Sequence, residues 1–144
     1  EGKSPFEIKE INYIGGGEGV TGTYASLQIS TNHKAPEKLK GQKISSKGLG
    51  LGFGFGAPVE VFTATRGVIH FNTELSGNNL EQIFNDTKFI TIRSVSAVIK
   101  YTRIDAYTDS NMNTLLWHAN MVGGGVLTAS LQGSRSVVEF KKSN

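Results

Sequence analysis

The sequence predicts an all-β fold, a closed antiparallel barrel of about eight strands with one short α-helix near residues 79–85. Three observations lead there. Apolar and polar residues alternate with period two along most of the chain, which places successive side chains on opposite faces of a sheet. Clusters of Gly, Asn, Asp and Ser punctuate that alternation at short intervals. Only one segment carries apolar residues at helical spacing.

The elements follow in order. Phe6 to Ile14 has strand composition and runs into Gly15, Gly16 and Gly17, a turn signal. Thr21 to Thr31 alternates cleanly, with Thr23, Ala25, Leu27 and Ile29 on one face and Tyr24, Ser26, Gln28 and Ser30 on the other. Residues 32–47 are polar and lysine-rich, carry Pro36, and are expected to form the longest loop. From Gly48 to Gly56 every second residue is glycine, with Leu49, Leu51, Phe53 and Phe55 between them. The period and the glycines exclude a helix. One face of this strand is bulky and the other is bare backbone. Glycine weakens a strand, so the bare face implies a barrel corner or another element in close approach.

Gly67 to Phe71 is a short strand. Asn78 or Asn79 caps a helix of at most about two turns, in which Leu80, Ile83 and Phe84 form an i, i+3, i+4 patch. Lys88 to Arg93, Val95 to Tyr107 and Thr114 to Val122 are strands, the last two joined by the polar turn from Thr108 to Asn113. After Gly123, Gly124 and Gly125 come Val126 to Leu131, a turn at Gly133 and Ser134, and a final strand from Arg135 to Phe140. The last four residues are expected to fray. Closure of the sheet is favoured because it removes strand edges.

A chain of 144 residues forms one domain, 1–144, large enough to bury about two-thirds of its unfolded surface. It has no cysteine, which excludes disulfides and thiolate metal sites. The net charge is +3 and has one source. Lys34, Lys38, Lys40, Lys43 and Lys47 stand against Glu37 alone, so this segment carries +4 and the rest of the chain −1. Such a segment can meet anionic groups, lipid phosphates in particular. It lacks aromatics for base stacking, and no nucleic-acid partner is expected. No run of about 18 apolar residues and no signal peptide occur. The start at Glu1 without methionine reads as processed and leaves targeting open.

Chemical motifs are sparse. Gly17, Gly19 and Gly22 match G-x-G-x-x-G, but a strand follows where a phosphate site needs a helix. Asp109, Asn111 and Asn113 open like a calcium loop, yet Thr114 and Asn120 stand where glycine and glutamate are required. His33, His70 and His118 are not at metal-ligand spacing. No nucleophile motif occurs. Glu60 and Asp105 lie on strands and are the sole acid–base pair considered, should both point into a barrel. Tyr101, Tyr107 and Trp117 are the aromatics available to a ligand, with core packing the competing use of Trp117. No cofactor and no metal are expected. Asn85-Asp86-Thr87 is a glycosylation sequon, relevant only to a eukaryotic secretory route.

The stretch from Asn79 through Leu80, Glu81, Gln82, Ile83, Phe84, Asn85 and Asp86 to Thr87, followed by Lys88, Phe89, Ile90, Thr91 and Ile92, resembles the Vap family of secreted virulence-associated proteins of rhodococci. The long strand, polar turn, Trp/His-bearing strand and triple glycine continue in similar order. The resemblance spans residues 60–140, with a glycine-rich echo at 15–24. It implies an eight-stranded antiparallel barrel with a short helix and no obvious open pocket, in a secreted bacterial protein acting in the host phagosome, with no established catalytic residues. The expected function is therefore a secreted, non-enzymatic interaction protein acting on a host membrane or host protein, with the five lysines as the anion contact. A small-ligand or carbohydrate-binding barrel and a small barrel enzyme are the alternatives.

Overall fold

A computed structural model describes residues 6–16, 19–31, 41, 43–55, 59–64, 67–72, 80–96, 99–124 and 130–143. The described residues form nine strands, β1 (Phe6–Gly16), β2 (Gly19–Thr31), β3 (Lys43–Phe55), β4 (Val59–Ala64), β5 (Gly67–Phe71), β6 (Phe89–Ser96), β7 (Ile99–Tyr107), β8 (Leu115–Gly124) and β9 (Ser130–Ser143), and one helix, α1 (Leu80–Asp86). The strands are hydrogen-bonded in the order β2-β3-β9-β6-β7-β8-β5-β1, and β1 returns to β2. Every pairing is antiparallel. β4 also pairs with β1, at Ile11–Gly16, beyond the two residues that β5 takes at Glu7 and Ile8. β4 and β5 are thus two halves of one strand position, and the barrel is closed with eight.

Four predicted boundaries move. β3 begins at Lys43, so the expected loop gives up its last residues to the sheet. Ile44 and Ser46 alternate inward there against Lys43, Ser45 and Lys47 outward. β6 runs on through Val95 to Ser96, and β7 starts only at Ile99. Gly133 and Ser134 form no turn: they lie inside β9, paired with Arg93 and Ile92. The C-terminal residues up to Ser143 do not fray but pair with β3. In each case cross-strand pairing overrides a local turn or terminus signal.

The glycine strand resolves as a barrel corner. Gly48, Gly52 and Gly54 face inward and are buried, while Leu49, Leu51 and Phe53 point out. A β-carbon at Gly50 would overlap the Arg135 carbonyl, and one at Gly52 would lie 2.6 Å from Thr23 Cγ2. The sheet curls so tightly across β2, β3 and β9 that neighbouring backbone occupies the space a side chain would need.

The barrel has two unlike ends. α1 and the strand ends Phe6, Thr31, Lys43, Phe71, Phe89, Tyr107, Leu115 and Ser143 mark the helix end. The strand ends Gly16, Gly19, Phe55, Val59, Ser96, Ile99, Gly124 and Ser130 mark the opposite, hairpin end. Phe84 of α1 sits among Phe6, Phe71, Trp117 and Phe140, with ring centroids 5.1–5.9 Å away. Thr87 ends the helix: its hydroxyl donates to the Ile83 carbonyl (2.8 Å) and accepts the Trp117 indole N–H (3.2 Å). Towards the hairpin end the interior turns to Gly52, Gly54, Ser94, Lys100, Thr102 and Ser134.

Candidate interaction surface

Among the described residues, six of the ten exposed large apolar side chains lie towards the hairpin end. Val20 on β2, Phe53 on β3, Val95 on β6, Ile99 and Tyr101 on β7, and Val122 on β8 all lie within a few residues of that end and point outward. Val20 is 72 % exposed, Val122 61 % and Ile99 59 %. Leu49, Leu51 and Val137 extend the surface down β3 and β9. Register makes it continuous: Val20 faces Phe53, Leu49 faces Val137, and Val95, Tyr101 and Val122 share one row. Apart from Met121, which is buried opposite Thr102, the normal barrel pattern is reversed among the described residues here, with small, hydroxyl-bearing or charged residues inside and apolar residues outside.

Beside this rim lies a cationic cluster. Arg93 and Arg103 face each other on β6 and β7. Both hold Asp105, through Arg93 Nη2 to Oδ2 (2.8 Å) and Arg103 Nε to Oδ1 (3.0 Å). Arg135 projects from β9 and makes no ion pair among the described residues. Asp105 lies outward between inward Ile104 and Ala106, yet its side chain is only 3 % exposed, because the two guanidinium groups cover it. Asp105 therefore does not meet the condition, set by the acid–base reading, of pointing into the barrel. Glu60 sits on β4, which shares its strand position with β5, so β8 stands between it and β7, and its side chain lies outside the described residues. Both Asp105 oxygens are engaged by arginine.

The next row carries histidine. His118 faces Asp105 across β7–β8, and His70 faces His118 across β5–β8. The two imidazoles stack, with centroids 5.2 Å apart and planes at 26°. Partial burial, then Arg103 and His70, lower the His118 pKa from its ordinary value, while Asp105 pulls the other way. Register, not sequence spacing, brings this pair together. No group of three or more metal-ligating side chains occurs among the described residues.

The remaining predicted site residues disperse. Lys43 and Lys47 are exposed on β3 at the helix end, away from the apolar rim. Lys34, Lys38 and Lys40 lie outside the described residues, as does His33. Trp117 is fully enclosed in the core and bonded to Thr87, so it is not a ligand aromatic. Tyr101 is on the rim, its hydroxyl donating to Asn120 Oδ1 (2.6 Å). Tyr107 lines a groove described below. The turn from Asp109 is a polar hairpin turn: Asp109 Oδ1 accepts the Asn111 N–H, and Met112 takes a left-handed φ of 59°. Gly19 opens β2 directly, so no helix follows the glycine motif.

An open groove of about 540 Å³ runs along the outer wall at the boundary between rim and arginines. Its apolar walls are Val20, Leu51, Phe53, Tyr107 and Met112, and its charged lining is Arg93 and Arg135. The concavity has a simple origin. On the outer face Phe53, Gly133 and Arg93 share one row, and Leu51, Arg135 and Thr91 the next. Gly133 and Thr91 are the short members between long neighbours.

The fold and this surface define a closed antiparallel barrel that presents apolar and cationic side chains on its outside. Among solved structures, it is similar to the virulence-associated protein VapB from the intracellular pathogen Rhodococcus equi, at 14 % identity and TM-score 0.47, over 94 % of this chain and 95 % of that one. It is also similar to VapD from the same organism, at 15 % identity and TM-score 0.46, over 94 % and 99 %. No protein-family model and no curated protein sequence matches the chain.

Proposed function

We propose that this chain is a secreted, non-enzymatic interaction protein that acts on a host membrane, and that it does so through the hairpin end of its barrel. The observation that carries the reading is the reversed polarity of that end. Apolar-out, polar-in strands are the pattern of barrels in contact with lipid. Each exposed apolar side chain withdrawn from water contributes on the order of 1 kcal/mol. The arginines beside the rim would then be available to lipid phosphates. The contact is interfacial and does not span: on β3 the described outward apolar residues run only from Leu49 to Phe53, above Lys43, Ser45 and Lys47, whereas a spanning strand needs roughly 9–11 residues. The resemblance read in the sequence supports the export and host-directed parts of the reading.

Flotation with vesicles tests it. The wild type is expected to float with vesicles containing anionic lipid. A Val95→Ser, Ile99→Ser, Val122→Ser variant should lose at least about ten-fold in the bound fraction, and equal flotation would overturn the reading. A variant with Lys34, Lys38, Lys40, Lys43 and Lys47 all changed to Gln measures the lysine segment. Undiminished flotation by that variant would remove these residues from the mechanism.

A further inference from the structure

We propose that the groove beside the rim is a binding site for an anionic amphiphile, an oxyanion head group carrying one aliphatic chain. Its chemistry is two-sided. Arg93 and Arg135 are diagonal neighbours on β6 and β9, since Arg93 faces Gly133 and Arg135 lies two residues on. Such neighbours are roughly 7–8 Å apart, close enough for two long side chains to meet on one oxyanion. A guanidinium carries five donors, and the Asp105 bond occupies one of those on Arg93. Among the described residues no carboxylate lines the groove. Opposite the cations, Val20, Leu51 and Phe53 offer an aliphatic and aromatic wall, closed at the far side by Tyr107 and Met112. Inorganic phosphate would leave that wall unused, and a neutral hydrocarbon would offer no acceptor to the remaining guanidinium donors.

Gly133 supplies a second, independent reason. The nearest atom a β-carbon there would meet is the Ile92 carbonyl oxygen, 4.0 Å away, so packing does not demand glycine as it does at Gly50. Its backbone conformation is not left-handed either. A glycine inside a strand costs stability. What the missing side chain leaves here is the groove floor.

The proposal does not depend on membrane docking, because the amphiphile can be presented in solution. Isothermal titration calorimetry with dodecyl phosphate, below its micelle-forming concentration, is expected to show saturable binding. Dodecyl maltoside (same chain, no charge) and inorganic phosphate (head group, no chain) should each bind at least about ten-fold more weakly. Gly133→Val fills the floor and Arg135→Gln removes the unpaired cation. Each should weaken dodecyl phosphate binding at least about ten-fold while the thermal midpoint and circular dichroism stay at the wild-type values. Equal binding of the neutral detergent, or undiminished binding by both variants, would overturn the proposal. Flotation of Gly133→Val separates two sources of the same chemistry: reduced flotation identifies a lipid drawn from the bilayer, and unchanged flotation with lost calorimetric binding identifies a free amphiphile. The Val95, Ile99 and Val122 substitutions lie outside the groove, so that variant should keep dodecyl phosphate binding even if it no longer floats.

Discussion

The helix end and the hairpin end of the barrel solve opposite problems with the same strands. At the helix end large rings point in and lysines point out. At the hairpin end glycines and hydroxyls point in and valine, isoleucine and phenylalanine point out. The first arrangement holds the fold together, and the second gives up internal packing while leaving apolar surface free for a contact. Phe84→Ala tests the first half most severely. Phe84 is 1 % exposed and contacts four other rings. Its removal should cost about 3–5 kcal/mol, read by urea denaturation. A loss below about 1 kcal/mol would mean that the aromatic cluster is not the stabilising centre.

The corner strand between the two ends gives the next effect. Gly50→Ala forces a methyl group onto the Arg135 carbonyl and should cost at least about 2 kcal/mol, because backbone on both sides must shift. Gly133→Ala, on the outer face of the neighbouring strand, should be neutral or stabilising. Similar losses at both positions would show that the corner is not crowded in the way its geometry describes.

Much of this was legible in sequence, and what escaped is instructive. Period-two alternation located most strands, and the glycine repeat signalled a corner. The inward direction of the glycines could not be read, since alternation fixes which residues share a face but not which face is buried. Apolar residues are ordinarily assigned to the inside, and here they are outside. Gly133 looked like a turn because its register with Arg93 is a long-range fact. The same holds for the Arg93, Arg103 and Asp105 cluster and for the stacked His70 and His118, which lie far apart in sequence. The lysine run was the loudest chemical signal, yet the structure places Lys43 and Lys47 at the end away from the apolar rim.

A smaller effect comes from the narrow closure at β5, which pairs with β1 at only two positions and with β8 at three. His70 and His118 stack across that β5–β8 seam, with Arg103 and Asp105 of β7 acting on His118. The folded-state pKa of His118 is lowered, so the unfolded chain binds its proton first as pH falls. The stability contributed by neutral His118 is therefore complete above the ordinary histidine value of 6.5 and is lost as pH drops below it towards the lowered folded value. Denaturation midpoints should fall across that window, and His118→Gln should flatten the slope. An unchanged slope would assign the pH dependence to other groups.

The smallest stability effect is the one that most sharpens the contrast between the ends. Phe53→Ser replaces the same residue type as Phe84→Ala, but at a position 56 % exposed on the outer face. Its ring contributes to no ring–ring contact among those that build the core. The expected change is within about 1 kcal/mol, the range of strand propensity. Dodecyl phosphate binding, by contrast, should weaken, since Phe53 forms part of the groove wall. A Phe53→Ser variant that unfolds as readily as Phe84→Ala would mean that the outer apolar surface is packed against something in the monomer, and the division of labour between the two ends would not hold.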